Sequence, residues 1–193
     1  SVMCMGGNET ELATYDRLIT DVYPSGIVSI VSDTWDYFKV LTQTLPALKT
    51  KIMAREGKLV VRPESGDPVK IMCGDPHAPV GSPEFKGTIE LLYETFGGTK
   101  NSKGYIQLDP HVGAIYGDSI TLDRCDAICS GLLNKGFAST NVVYGIGSYT
   151  YQYVTRDTFG FAMKATYGVI NGIPVDIYKD PVTDDGVKKS AKG

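Results

Sequence analysis

The feature that most constrains the fold is a short apolar run that stops abruptly at a proline. Residues 59–62, Leu-Val-Val-Arg, carry the β-branched side chains typical of a buried strand. Pro63 fixes its own φ angle, and Gly66 permits a tight turn. Asp67 and Pro68 are residue types that begin helices, as N-cap and first helical residue. The stretch therefore predicts a strand, a turn and a helix in succession.

The same succession of strand, turn and helix recurs along the chain. The additional strands are predicted at residues 27–31, 112–116 and 141–144, and a helix is predicted after each of them. Repetition of βα units implies a parallel sheet or a barrel. The sequence therefore predicts an α/β fold in which the carboxyl ends of several strands lie at one edge.

Further elements flank these units. Asn8 and Glu11 have the spacing of a capping box, which predicts a helix before the first strand. A long strand over residues 159–170 precedes Asn171-Gly172, the pair preferred in type I′ hairpins, so the fold ends in a β-hairpin. Residues 179–193 are polar and basic and are predicted to form a flexible tail.

Composition and charge exclude several classes of protein. With 193 residues, of which 42% are hydrophobic and 21% charged, the chain is long enough to bury a sizeable core. Its net charge of -3 argues against a nucleic-acid-binding surface. No apolar run approaches the length of a transmembrane helix, and no signal peptide is visible. We therefore expect a cytoplasmic protein that binds neither membranes nor nucleic acid.

The four cysteines lack the C-x-x-C spacing of common metal sites. They are Cys4, Cys73, Cys125 and Cys129, and the last two lie four residues apart on a predicted helix, so they share a face. Small, mostly buried thiols in a reducing compartment are favoured over a metal site. We therefore assign no residue as a metal ligand.

Polar residues and glycines follow each predicted strand. These are Asp33, the pair Arg62 and Glu64, the pair Gly117 and Asp118, and the Gly-Ile-Gly-Ser turn at 145–148. Functional groups of α/β proteins sit at such carboxyl ends. An arginine can hold an anionic oxygen bidentately, and a glycine turn before a helix offers backbone N–H groups to an anion. Their convergence predicts a site for an anionic, hydroxyl-rich substrate such as a sugar phosphate.

Each of these residues also has an ordinary structural interpretation. Arg62 could form a salt bridge with a nearby acid, and Asp33 could simply cap the following helix. The turn at 145–148 could be a common glycine turn. Spacing alone leaves these alternatives open, and the convergence of four strand ends is what favours a site.

Seven segments of the chain resemble the carboxyl-terminal, catalytic part of the nicotinamide phosphoribosyltransferases. They are residues 28–36, 59–66, 101–105, 115–118, 144–148, 154–157 and 178–182. They keep the order of that family and run nearly end to end, so the joint match is specific. The related nicotinate phosphoribosyltransferases share the R-P-[DE]-S-G element, whereas the N-S-K-G-Y and K-D-P-V pieces favour the nicotinamide enzymes.

The resemblance implies a fold and an activity. The fold is the irregular TIM-like α/β barrel of type II phosphoribosyltransferases, here a partial barrel with a carboxyl-terminal hairpin, in a homodimer. The activity is transfer of phosphoribosyl from phosphoribosyl pyrophosphate to nicotinamide, giving nicotinamide mononucleotide and pyrophosphate in NAD salvage. Mg²⁺ is expected with phosphoribosyl pyrophosphate, and ATP is a further candidate as activator.

The resemblance also assigns roles at the end of the central strand. Arg62, followed by Pro63, matches the arginine that contacts the phosphates. Glu64 matches a ribose-contacting position that is usually aspartate, and its side chain is one methylene longer. Gly117 and Asp118 match a second contact to ribose and nucleotide.

Other strand ends and the carboxyl-terminal part match further positions of the family. Ser29 and Asp33 match residues that line the nicotinamide tunnel and ribose site, and Asp33, Arg62 and Glu64 are the implied catalytic set. Gly147 and Ser148 match a phosphate-cradling turn that usually has two glycines. The remaining matches are cationic: Arg156 at the nucleotide phosphate, and Lys164 and Lys179 near the pyrophosphate or nucleotide.

Members of the family are considerably longer at the amino end. The resemblance places there an aromatic residue that stacks on nicotinamide, an aspartate that binds its amide, and a catalytic histidine. We therefore expect this chain to be a truncated piece that is inactive alone. Two alternatives stay open, namely a nicotinate phosphoribosyltransferase and a non-catalytic module that binds sugar phosphates or a protein partner.

Overall fold

The computed structural model describes residues 2–4, 6–147, 154, 156–161 and 163–183. The strands in these ranges are β1 (Ser25–Val31), β2 (Glu56–Arg62), β3 (Gly98–Lys100), β4 (Ile106–Leu108), β5 (Val112–Tyr116), β6 (Val142–Tyr144), β7 (Tyr167–Ile170) and β8 (Ile173–Asp176). The α-helices are α1 (Glu11–Arg17), α2 (Tyr37–Lys39), α3 (Leu45–Ala47), α4 (Lys49–Met53), α5 (Pro68–Cys73), α6 (Pro83–Lys86), α7 (Thr88–Phe96) and α8 (Leu122–Asn134).

A four-stranded parallel sheet in the order β1-β2-β5-β6 forms the centre of the fold. Val31 of β1 pairs in register with Arg62 of β2, and Tyr116 of β5 pairs with Tyr144 of β6. Two antiparallel pairs, β3-β4 and β7-β8, stand apart from this sheet. The predicted parallel sheet and carboxyl-terminal hairpin are thus confirmed.

The helices pack against one face of the sheet. Val28 and Ile30 of β1 and Leu59 and Val61 of β2 are buried in a single core with the helices. The opposite face, called the open face below, is only partly covered: Val60 of β2 is 9% exposed, whereas Ile27 of β1 is 76% exposed. A parallel sheet is normally covered on both faces, so an exposed Ile27 is unusual. None of the helices in the described ranges is long and apolar enough to cross a membrane.

Local turn chemistry is as predicted around the central strand and in the hairpin. Asp67 caps α5, because its carboxylate accepts hydrogen bonds from the N–H groups of Val69 and Lys70 at 2.8 and 3.1 Å. Asn171 and Gly172 have φ angles of 52° and 82°, as a type I′ turn requires.

The capping box predicted at the first helix is wrong. The chain enters α1 through a 3₁₀ turn, Asn8–Thr10, and no side-chain cap bond is made there. Glu11 instead points inward and is only 3% exposed, with Oε1 lacking a hydrogen-bond partner among the described residues. Burial raises the pKa of Glu11 from 4.5 to about 7, although nearby Lys39 opposes the shift and Asp36 adds to it.

The long strand predicted over 159–170 is also wrong. Residues 156–159 form a 3₁₀ turn, and the strand begins only at Tyr167. Its partner β8 has four residues, so only four residues of β7 find a strand to pair with. The helix predicted after the last parallel strand, over residues 149–157, falls largely outside the described residues.

The cysteines are free thiols. Cys73 is buried, whereas Cys4, Cys125 and Cys129 are half-buried.

The segment predicted to be a flexible tail begins with residues that are docked on the fold, since the N–H groups of Asp180 and Val182 donate hydrogen bonds to the carbonyls of Thr34 and Trp35. Residues 184–193 lie outside the described ranges.

We predict that Glu11 makes stability depend on pH. Between pH 4.5 and 7 the folded chain binds this proton more tightly than the unfolded chain, so the free energy of unfolding falls as pH rises. Glu11→Gln should reduce that fall by about 1 to 3 kcal/mol in urea unfolding at pH 5 and pH 7.5. Glu9→Gln, at an exposed position in the same segment, is the control. An unchanged pH slope in Glu11→Gln would contradict the prediction.

A second prediction concerns the ends of β5 and β6, which approach closely. The N–H of Gly145 donates to the carbonyl of Tyr116 at 2.8 Å, and a Cβ on Gly145 would lie 2.7 Å from the Cα of Gly117. Gly145→Ala must therefore move backbone, and we expect the free energy of unfolding to fall by about 1 to 3 kcal/mol. A Cβ on Gly147 would meet nothing within 4 Å, so Gly147→Ala is the matched control. Equal losses in the two variants would refute a steric cause.

Candidate functional site

The carboxyl ends of β1, β2, β5 and β6 lie at one edge of the sheet, because all four strands are parallel. Asp33 follows β1, Arg62 ends β2 and Glu64 follows it, Asp118 follows β5, and Gly147 follows β6. The convergence of strand ends predicted from the sequence is therefore present. The ends of β1 and β2 contact one another directly, because side chains that follow β1 accept hydrogen bonds from backbone N–H groups at the end of β2.

Asp33 joins the first two strand ends. Its side chain is fully buried, and Oδ2 accepts a hydrogen bond from the N–H of Glu64 at 2.8 Å. The other oxygen, Oδ1, is buried without a hydrogen-bond partner among the described residues. The alternative that Asp33 caps the next helix is wrong, because Asp36 caps α2 by accepting from the N–H of Lys39 at 3.0 Å. A buried carboxylate oxygen without a donor is costly, so Oδ1 of Asp33 calls for a donor that the described residues do not supply.

Arg62 and Glu64 form an ion pair with 2.5 Å between Nη2 and Oε1. Their side chains are 43% and 33% exposed, and pairs of this exposure are worth about 0 to 1 kcal/mol. Nε of Arg62 is buried and has no hydrogen-bond partner among the described residues. The salt-bridge interpretation of Arg62 thus holds in this structure, but its partner is another candidate site residue. An incoming anion can displace so weak a partner at little cost.

Ser32 is a structural residue of the site whose contacts only the fold reveals. Its hydroxyl accepts from the phenol of Tyr15 at 2.8 Å and donates to the carbonyl of Ile30 at 2.7 Å. It also accepts from the N–H of Arg62 at 3.3 Å, while its own N–H donates to the carbonyl of Arg62 at 3.1 Å. Ser32 therefore fixes the last residue of β2 against the end of β1.

Tyr116 is a second residue whose role only the fold reveals. Its phenol donates to the carbonyls of Ser65 and Gly66 at 3.1 and 3.0 Å, so the end of β5 holds the turn that follows Glu64. Burial raises the pKa of Tyr116, and the negative charges of Asp118 and Asp33 raise it further. The apolar pattern of β5 signalled a buried Tyr116 but not its contacts.

The remaining predicted residues lie elsewhere in the fold, in the docked carboxyl-terminal segment, or outside the described residues. Ser29 is exposed on the open face of β1, and Lys164 is exposed in an irregular segment. Lys179 is half-buried within the docked segment after the hairpin. Ser148 and the side chain of Arg156 lie outside the described residues. Their predicted roles stay predictions.

The described residues contain no group of three or more His, Cys, Asp or Glu side chains able to enclose a metal ion. The strand-end carboxylates of Asp33, Glu64 and Asp118 are therefore not a protein-built metal cage. Their oxygen atoms are nevertheless the ligand type that Mg²⁺ shares with substrate phosphates.

Comparison with known proteins identifies the family. A sequence model of the Nicotinate phosphoribosyltransferase (NAPRTase) family matches residues 1–193. The chain is 59% identical over 199 residues to a protein of Acinetobacter baylyi named nicotinamide phosphoribosyltransferase, covering 100% of this chain and 39% of that protein. It is 41% identical over 187 residues to a protein of the same name from Mycoplasma pneumoniae. That match covers 95% of this chain and 41% of the relative.

A third relative of that name, from Xanthomonas campestris, is 35% identical over 195 residues. The match covers 100% of this chain and 38% of the relative. The chain thus spans about two fifths of the length of the curated relatives that it matches. The family match runs through every strand end described above. The chain therefore belongs to the nicotinate phosphoribosyltransferase family.

Proposed function

We propose that the protein containing this chain transfers phosphoribosyl from phosphoribosyl pyrophosphate to nicotinamide, forming nicotinamide mononucleotide and pyrophosphate in NAD salvage. The observation that carries the proposal is the junction of buried Asp33 with the Arg62–Glu64 pair, in a chain 59% identical to a nicotinamide phosphoribosyltransferase. This junction offers cationic donors and carboxylate acceptors side by side. Cationic donors bind phosphate groups and carboxylates accept hydrogen bonds from hydroxyls, so the junction suits a phosphorylated sugar.

Arg62 is the proposed contact to phosphate. Its guanidinium keeps N–H donors beyond the one that pairs with Glu64, including the buried Nε. Hydrogen bonds from a guanidinium to phosphate are charge-assisted and bidentate, so phosphate competes well against one partly exposed carboxylate. Binding of phosphate then releases Glu64.

Glu64 and Asp33 are the proposed acidic groups near the sugar. Departure of pyrophosphate builds positive charge on the ribose ring, and the fixed carboxylate of Asp33 stabilises that charge without reorganising. Glu64, once released from Arg62, accepts hydrogen bonds from ribose hydroxyls. Its side chain is one methylene longer than the aspartate usual at this position, which lets it reach Arg62 before substrate binds.

Mg²⁺ is proposed to arrive with the pyrophosphate group. Mg²⁺ is commonly held by one or two carboxylates together with substrate phosphates, and the exposed carboxylate of Asp118 at the same edge fits that donor type. When bound, Mg²⁺ neutralises charge on the leaving pyrophosphate. Activation by ATP remains a separate expectation from the resemblance.

We further propose that the four-stranded sheet belongs to a TIM-like barrel in a cytoplasmic homodimer. The open face supports the barrel, since Ile27 and Val143 are 76% and 57% exposed on a sheet type that is normally covered on both sides. The free thiols agree with a reducing compartment. The proposal of a dimer rests on the resemblance alone. The net charge of -3 favours partners other than nucleic acid.

We predict that Arg62→Ala weakens use of phosphoribosyl pyrophosphate. Loss of hydrogen bonds to a charged group should raise the KM for this substrate about 10- to 100-fold in the full-length protein. Steady-state kinetics with nicotinamide held saturating measure the effect. Arg17→Ala, at an exposed position on α1, is the matched control. Unchanged kinetics in Arg62→Ala would remove this arginine from the site.

Two comparisons separate the alternatives. Turnover rates of the full-length protein with nicotinamide and with nicotinate distinguish the two possible base substrates. A preference for nicotinate would overturn the proposed substrate. A titration of phosphoribosyl pyrophosphate tests the non-catalytic module. Binding of that compound without turnover by the full-length protein would favour the module.

A further inference from the structure

The segment at 178–183 lies across the loop that follows β1. The N–H of Asp180 donates to the carbonyl of Thr34 at 3.0 Å, and the N–H of Val182 donates to the carbonyl of Trp35 at 2.8 Å. Between these two bonds, Pro181 is buried. Alternate residues of the segment thus pair with consecutive residues of the loop and dock its backbone there.

Two side-chain contacts extend the docking. The ring of Tyr178 meets the ring of Trp35 edge-to-face, with 5.6 Å between centroids and 86° between planes. At the other end of the segment, the hydroxyls of Thr183 and Ser65 are hydrogen-bonded at 2.5 Å. A Cβ on Gly66 would lie 3.3 Å from the carbonyl oxygen of Thr183, so the backbones also approach there. The segment therefore contacts the loops after both β1 and β2.

The contacted residues are the immediate neighbours of the candidate catalytic residues. Thr34 follows Asp33, and Ser65 follows Glu64. Thr34 and Ser65 are 2% and 3% exposed, so both contacts are shielded from water. Asp33 and Glu64 are themselves joined by the 2.8 Å hydrogen bond from the N–H of Glu64. One segment thus holds both sides of that bond.

We propose that residues 178–183 form a strap that positions Asp33 and Glu64 for the sugar phosphate. Thr183 acts through Ser65 on Glu64, and Tyr178 acts through Trp35 on the loop that carries Asp33. The catalytic use of Asp33 and Glu64 rests on the proposed function, whereas the contacts by which the strap holds their loops do not. Lys179 lies within the strap, so docking of the strap also determines where this cation stands relative to the edge of the sheet.

The strap is tested with Thr183→Val and Thr183→Ser in the full-length protein. Valine keeps the shape of threonine but leaves the buried Ser65 hydroxyl without this partner, whereas serine keeps the bond. Loss of one hydrogen bond should speed hydrogen exchange of the Glu64 amide about 3- to 10-fold and raise the KM for phosphoribosyl pyrophosphate by a similar factor. Thr183→Ser should restore both values. Thr99→Val, at an exposed position of β3, is the control.

Each outcome of this experiment supports or overturns the strap at residues 178–183. Wild-type exchange of the Glu64 amide in Thr183→Val would overturn the strap, and so would a serine variant as impaired as the valine variant. If the wild-type protein does not turn over phosphoribosyl pyrophosphate, the proposed function fails. The exchange measurement then tests the strap by itself.

A second variant tests the other end of the strap. Trp35 is the single tryptophan among these 193 residues, so the difference in emission between the full-length wild-type protein and a variant at Tyr178 reports their contact. Tyr178→Ala should expose the ring of Trp35 and shift its emission to longer wavelength, and Tyr178→Phe should keep the wild-type emission. An alanine variant with wild-type emission would show that Tyr178 does not hold this loop.

Discussion

The hydrogen bond from the N–H of Glu64 to the buried carboxylate of Asp33 is the interaction on which the candidate site depends. It joins two loops that leave neighbouring parallel strands, and it gives a buried carboxylate oxygen the donor that it needs. Around it, Ser32 ties the ends of β1 and β2 together, and Tyr116 holds the turn after Glu64. The rigidity of the edge therefore comes from tertiary hydrogen bonds between strand ends.

The Arg62–Glu64 pair shows that a structural and a functional interpretation can apply to the same residues. The pair is partly exposed and therefore weak, so it can open when a stronger anion arrives. Asp33 differs in being fully buried, and its position cannot change without breaking backbone contacts. The edge thus combines a fixed carboxylate with an exchangeable ion pair, which is suited to a ligand that carries both phosphates and hydroxyls.

Sequence reasoning succeeded where structure depends on near neighbours in the chain. The strand ending at Arg62, the Asp67 cap and the Asn171-Gly172 turn all follow from the backbone preferences of adjacent residues. It failed at Glu11, whose side chain is drawn into the core rather than back to the helix terminus. It also failed over 159–161 and 163–166, because alternation of side chains does not make a strand without a partner of matching length.

By itself, the sequence determined the four parallel strands and the turns that follow them, and with these the collection of Asp33, Arg62, Glu64 and Asp118 at one edge of a parallel sheet. Only the tertiary structure decided which of these groups meet. Glu64 bonds to Asp33 across 31 positions, and Thr183 bonds to Ser65 across 118. Such pairings depend on strand register and on the path of the returning chain. Local side-chain preferences carry no information about either.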